Sequence, residues 1–276
     1  VIVSDDMRMG AIAHHYGLDD AEYQMLRSIA PRSTNGAAST SQCRPGPAPA
    51  TTAIASRGES GVIGREDWFQ AGDGETGFVI PDPRDWHIIY SNNEGFITRY
   101  DKSKELYQDV SVWPLDNSGH GASDLKHRFQ WVSPLMLSPH DPDTIYTAGE
   151  AVFKSTDQGH SWKAISEDLT RNDKSKQKPS GGPIQNDITS IESYDVVFAL
   201  AESPLKKGML WAGTDDGLLH VTTDDGATWP ARALVKPGGA GYSTMAVLAD
   251  GTVGNLYEVG NTGGIYFARF TTDWIK

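Results

Sequence analysis

Cysteine is almost absent from this sequence: Cys43 is the only one in 276 residues. An intrachain disulfide is therefore impossible, and so is a zinc site built on several thiolates. Long apolar runs are missing as well. None approaches the roughly 18 residues that a bilayer-spanning helix needs, so no membrane partner is expected. Positive charge is scarce. The 24 Lys and Arg stand against 36 Asp and Glu, for a formal charge of −12. A field of that sign repels phosphate backbones, and no Lys/Arg cluster reverses it locally, so nucleic acid is not an expected partner. His120, His127 and His140 lack metal-ligand spacing and read as solvated or turn-bonding loop residues. No metal or other cofactor is expected. Val1 is not followed by the charged segment and apolar core of a signal peptide.

Turn-forming residues are abundant, with 29 Gly and 15 Pro. That suits many short strands better than a helical bundle. Residues 1 to 30 read as a short strand, Val1-Ile2-Val3, and a helix with Asp19 or Asp20 as a cap. Residues 31 to 66 are rich in Ser, Thr, Ala, Gly and Pro and read as a linker or surface loop. Such a stretch does not bury enough apolar surface to offset the entropy of ordering itself.

From Asp67 to the last residue, 276, one phrase recurs. Phe78-Val79-Ile80 precedes His87-Ile88-Ile89-Tyr90 and then Phe96 to Tyr100. Leu135-Met136-Leu137 precedes Thr144-Ile145-Tyr146 and then Ala151 to Lys154. Val197 to Ala201 precedes Met209 to Ala212 and then Leu218 to Val221. Met245 to Leu248, Gly254 to Tyr257 and Ile265 to Ala268 form a looser fourth copy. Tyr107 to Trp113, Trp162 to Ile165 and Trp229 to Leu234 supply outer strands. The period, roughly 45 to 65 residues, is that of propeller blades with loop insertions. The expected fold is all-β, a β-propeller of four to five four-stranded blades, plus a short N-terminal helix. Ring closure would use Val1-Ile2-Val3, a strand within 54 to 70, or a fifth sheet within 50 to 75. An incomplete ring would make an oligomer possible.

Two of the hairpins carry Ser155-Thr156-Asp157-Gln158-Gly159-His160-Ser161-Trp162 and Thr222-Thr223-Asp224-Asp225-Gly226-Ala227-Thr228-Trp229. Both read S/T-x-D-x-G-x-x-W, the Asp box. The Asp accepts turn N–H groups, the Gly takes positive φ, and the Trp packs under the hairpin between sheets. This is a device of structure rather than of catalysis.

Residues 76 to 232 resemble the bacterial sortilin-like and neuraminidase-repeat propellers, through Arg128 to Pro134, Ser138 to Tyr146 and Trp211 to Leu218. Gly241 to Glu258 and Ile265 to Trp274 are similar to the closing blade of exo-sialidases. That resemblance implies a carbohydrate substrate and a secreted or periplasmic location. It puts Tyr242 where the sialidase nucleophile stands, and Glu258 where a glutamate orients an active-site arginine. It also implies three arginines on the substrate carboxylate. Arg65, Arg84, Arg99, Arg128, Arg232 and Arg269 are present, none of them in a matching motif. Val1 to Ile12 resembles the nucleophile strand of family-three β-N-acetylhexosaminidases, with Asp5 at the attacking position or, alternatively, Asp5 or Asp6 at a helix N-cap. Three resemblances in one chain make it a mosaic.

Glu192 and Glu202 flank the strand Val196 to Leu200, where a carboxylate facing the channel would serve as acid or base. Asp215 and Asp216 read as a hairpin turn. Trp113, Trp131 and Trp211 read as sheet-packing aromatics, or as a sugar platform if exposed. Two functions follow: a glycoside hydrolase-like propeller cleaving a terminal sugar at the propeller axis, or a non-catalytic glycan- or protein-binding propeller module.

Overall fold

The computed structural model describes residues 52–54, 61–72, 77–115, 117, 119–179, 181, 193–237, 242–259 and 263–275. The strand and helix expected in residues 1 to 30 lie outside them. So does most of the stretch from 31 to 60, apart from one strand.

The architecture is all-β. A first, two-stranded sheet pairs β1 (Thr52–Ile54) with β2 (Trp68–Gln70). Three four-stranded antiparallel meanders follow. They are β3 (Val79–Pro81), β4 (Ile88–Asn93), β5 (Phe96–Asp101) and β6 (Leu106–Asp109); β7 (Leu135–Leu137), β8 (Ile145–Ala148), β9 (Val152–Ser155) and β10 (Lys163–Ala164); β11 (Val197–Glu202), β12 (Leu210–Thr214), β13 (Leu218–Thr222) and β14 (Ala231–Leu234). The last sheet has three strands, β15 (Ser243–Val247), β16 (Val253–Glu258) and β17 (Ile265–Phe270), before a 3-10 turn at Thr272–Ile275. The four repeats expected from the sequence are thus four of the sheets. The pair β1–β2 is the fifth sheet expected within residues 50 to 75. No strand pairing joins β17 to β1 or β2 among the described residues.

Each of the three four-stranded sheets is apolar on both faces because each is packed between two neighbours. Along a strand, alternate side chains point to opposite faces. In β12, Leu210 and Ala212 join the core shared with the β7–β10 sheet, while Trp211 between them joins the core shared with the last sheet. In β4, Ile88 and Tyr90 face the β7–β10 sheet and Ile89 faces the first sheet. The register of β11 shifts between Val197 and Ala199. That bulge changes the parity, so Val197 and Leu200 share one core while Ala199 and Ala201 share the other.

The Asp boxes join neighbouring sheets. Asp157 Oδ1 accepts from Ser155 Oγ (2.7 Å) and the Ser161 N–H (2.8 Å), and its Oδ2 accepts from Ser161 Oγ (2.6 Å). Asp224 repeats the pattern with Thr222 and Thr228. Hydroxyl and amide donors hold both carboxyls down at about 2. The indole N–H of Trp162 donates to the Val110 carbonyl (2.7 Å), just past β6 of the preceding sheet. That of Trp229 donates to the Ile165 carbonyl (2.9 Å), just past β10. Gly226 sits at φ +84°, and a Cβ there would meet the Ile165 oxygen at 2.7 Å, so glycine serves both the turn and the approach.

Antiparallel order divides the turns between two ends. The Asp boxes, the 82–87, 138–144 and 203–209 turns and the 248–252 turn share one end. The 93–95, 149–151, 215–217 and 259–264 turns, and the segments leading into β3, β7, β11 and β15, share the other.

Replacing Trp229 by Ala removes the indole bond and part of the core at one inter-sheet junction. A loss of about 3 to 5 kcal/mol is expected in equilibrium urea unfolding, against under about 1 kcal/mol for exposed Trp274→Ala.

Candidate functional site

The candidate residues Tyr242 and Glu258 lie at the end opposite the Asp boxes. Tyr242 leads into β15 and is 57% exposed. Its ring meets Phe198 of β11 edge-on, centroids 5.5 Å apart. Because β11 contacts both β7 and β15, it is the strand through which the inner edges of three sheets meet. Glu258 ends β16 half-buried, and its N–H donates to the Tyr242 carbonyl (2.9 Å). The hairpin register, Ser243 opposite Tyr257, therefore brings these two residues to one place.

The turn after β12 supplies two further carboxylates. The Asp215 N–H donates to the Val196 carbonyl (3.0 Å), and Asp215 Oδ1 accepts from the Val196 N–H (3.1 Å). Asp215 is thereby clasped to the start of β11, two residues from Phe198. Burial pushes its carboxyl up to about 7; the Val196 amide opposes this, and the charges of Asp216 and Asp195 add to it. Asp195, at φ +63°, is fully buried. Its Oδ2 accepts from Gln177 Nε2 (2.6 Å), and burial holds its carboxyl above the usual carboxylate range. Asp216 Oδ2 accepts from the Arg171 N–H (2.5 Å).

Arg128 ties this end together. It is 5% exposed. Its Nε donates to the Asp195 carbonyl (3.0 Å) and its Nη2 to Asp168 Oδ2 (2.7 Å) and Thr170 Oγ1 (3.3 Å). Burial pulls the Asp168 carboxyl up, but Thr170 and Arg128 outweigh it and leave it lowered. Glu150, in the turn after β8, accepts from the Arg128 N–H (2.8 Å) and lies 2.7 Å from His127 Nδ1. His127 is therefore a bonded loop anchor rather than a solvated side chain. His140 donates Nε2–H to the Ser203 carbonyl (2.7 Å), the turn-bonding role expected for it.

Tyr242 and Glu258 thus come together, while Glu202 stands elsewhere. Glu202 ends β11 at the Asp-box end, 7% exposed, with Oε1 accepting from the Gly208 N–H (2.9 Å). The full length of β11 separates it from Asp215. Asp5 and Glu192 lie outside the described residues. Asp215 and Asp216 do form the expected turn, with the Gly217 N–H donating to the Thr214 carbonyl (3.1 Å). Trp211 is fully buried and packs. Trp113 is half-buried against His127, with Lys126 Nζ 4.0 Å from its ring. Asp195 and Arg128 were not foreseen as a pair, because 67 residues separate them. Among the described residues, no group of three His, Cys, Asp or Glu side chains is placed to hold a metal ion, and no helix is long and apolar enough to cross a membrane.

A sialidase of Micromonospora viridifaciens is 31% identical over 139 residues, 48% of this chain and 19% of that protein. The chain is a β-propeller that is similar to a sialidase over about half of its length. It spans about a fifth of the length of that curated relative. The WD40 domain of Toxoplasma gondii coronin superposes on 87% of this chain and 54% of its own, at TM-score 0.54 and 10% identity, a likeness of fold alone. A Hadza microbial sialidase covers 88% of this propeller and 47% of its own chain, at TM-score 0.43 and 14% identity, too low to carry an argument. No family profile matches the sequence.

The raised Asp215 carboxyl has a consequence for stability. Between pH 4 and 7 the folded state keeps this proton while the unfolded chain, whose aspartates titrate near the ordinary value of about 3.9, has lost it. Stability therefore falls as pH rises through that window and levels off above about 7, by at most about 4 kcal/mol. Denaturation midpoints measured from pH 4 to 8 should show this fall in the wild type and a flatter profile in Asp215→Asn.

Proposed function

We propose that the chain is a glycoside hydrolase-like propeller that removes a terminal sugar from a glycan at the Tyr242 end of its axis. The observation that carries this reading is the pairing of exposed Tyr242 with half-buried Glu258 through one backbone hydrogen bond in the β15–β16 hairpin. Similarity to a sialidase over half the chain supports the same chemistry. In this reading the Tyr242 hydroxyl oxygen attacks the anomeric carbon. A phenol suits that role when a carboxylate accepts its proton, and Glu258 is the side chain assigned to it. The same reading carries the expectation of a secreted or periplasmic protein.

A binding module without turnover is the competing function, and one assay separates the two. Chromogenic sialyl, N-acetylglucosaminyl and galactosyl glycosides are offered to the purified chain. Turnover of at least one is expected, falling about a thousandfold or more in Tyr242→Phe. Saturable glycan binding with no turnover of any substrate would identify the module instead.

A further inference from the structure

The last sheet turns rows of side chains toward the β11–β14 sheet, and the register of its strands defines them. Val247, Val253 and Phe270 form one row, and Met245, Asn255 and Ala268 form the next. Apart from Asn255, these side chains belong to the core that the two sheets share. Ser243, Tyr257 and Tyr266 form a third row on the same face, at the Tyr242 end, outside that core. The apolar contact between the sheets thus stops one row short of the end, and the row beyond it is aromatic.

Tyr257 and Tyr266 are cross-strand partners, their rings 5.9 Å apart and 22° from parallel. Tyr257 is half-buried and Tyr266 is 49% exposed. Their place in the hairpin ties them to Tyr242. Tyr257 precedes Glu258, whose N–H donates to the Tyr242 carbonyl (2.9 Å), and Ser243, opposite Tyr257, follows Tyr242. Neighbouring strands stand about 4.8 Å apart, so the row runs about 10 Å outward from β15 to β17. Exposed Tyr242 stands at its inner end. One row inward, Asn255 is 9% exposed and its Oδ1 has no hydrogen-bond partner. A buried acceptor in that state is satisfied by a hydroxyl or a water that enters between the sheets.

The chemistry of this row suits a sugar chain. An aromatic face is negative and attracts the C–H groups on one side of a pyranose, while the hydroxyls at the sugar's rim stay free for water and polar groups. We propose that Tyr257 and Tyr266 form a stacking ledge for the sugar units behind the terminal one, so that the substrate is an oligosaccharide rather than a single sugar on a small leaving group. The glycosidase reading above supplies the position of the bond that is cut. The hold of the ledge on a glycan does not depend on turnover.

The test uses two substrates with one terminal sugar. One is its glycosyl fluoride, which has no sugar beyond the cleaved bond. The other is an oligosaccharide: sialyllactose, chitotriose or galactotriose, according to the terminal sugar removed. Tyr266→Ala should raise KM for the oligosaccharide by about fivefold to tenfold relative to KM for the fluoride. Tyr266→Phe, which keeps the ring, should restore most of that affinity. Where thermal unfolding shows Tyr266→Ala to be misfolded, Tyr266→Leu takes its place and should show the same loss. Calorimetric titration of the three oligosaccharides into Tyr242→Phe reads binding without turnover, and adding Tyr266→Ala should weaken it by a similar factor. Equal KM changes on both substrates, an unchanged oligosaccharide KM, or a loss in Tyr266→Phe as large as in Tyr266→Ala would overturn the ledge and leave the glycosidase reading intact. Binding that depends on Tyr266, with no turnover of any substrate, would keep the ledge and remove the glycosidase reading. Neither binding nor turnover would remove both. A dimer that dissociates in Tyr266→Ala, seen by light scattering, would make the row a contact between two copies and overturn the ledge.

Discussion

The indole hydrogen bond from one sheet to the strand end of the preceding sheet is the contact on which the assembly depends. A small meander apolar on both faces has no stable existence alone. Trp162 and Trp229 place a large aromatic body at the edge of each junction and tie its N–H to a carbonyl that would otherwise lack a protein partner. The bond fixes distance and register together, so that Ile88, Tyr90 and Ile97 meet Leu135 and Ile145 at one junction, and Tyr146 and Val152 meet Leu210 and Ala212 at the next. The β3–β6 sheet has only the polar half of this device. Asp101 binds Ser103 and Lys104 across its hairpin, and no Trp follows.

The two ends of the sheets treat carboxylates in opposite ways. At the Asp-box end, exposed Asp157, Asp224 and Asp250 and buried Asp101 each accept several donors and are held at about 2. They are permanently charged turn fasteners. At the other end Asp195 and Asp215 are covered and crowded by like charge, and their carboxyls rise. One residue type is thus held charged or has its carboxyl raised by the number of donors it meets and the water it loses. Glu202 shows the same division from another side. It lies on the inner strand, as a channel-facing carboxylate would, but at the fastening end, bonded to the Gly208 amide.

The alignment with the sialidase covers 139 residues, about half of this chain and a fifth of the longer protein. Among the described residues, Arg128 bridges three segments, and Arg84 joins the turn after β3 to the turn after β7.

Local physics made the hairpins legible. Period-two apolar runs, Gly at turns and two in-register Asp boxes mark strands β3 to β17, and each box closes within eight residues, so its bonds are written in adjacent positions. The pairing of Tyr242 with Glu258 was also within reach, because one hairpin carries both. The strand β1 was legible only as one of several ways to close the ring, since three residues in a Ser/Thr-rich stretch carry no period of their own. The end at which a carboxylate stands, the bulge at Val197 that resets the faces of β11, and the clasp of Asp215 on Val196 depend on partners brought from far along the chain. Sequence determined which segments become strands and which turn aspartates stay charged; tertiary packing alone decided which carboxyls are raised, because burial and neighbouring charge are properties of the assembled sheets.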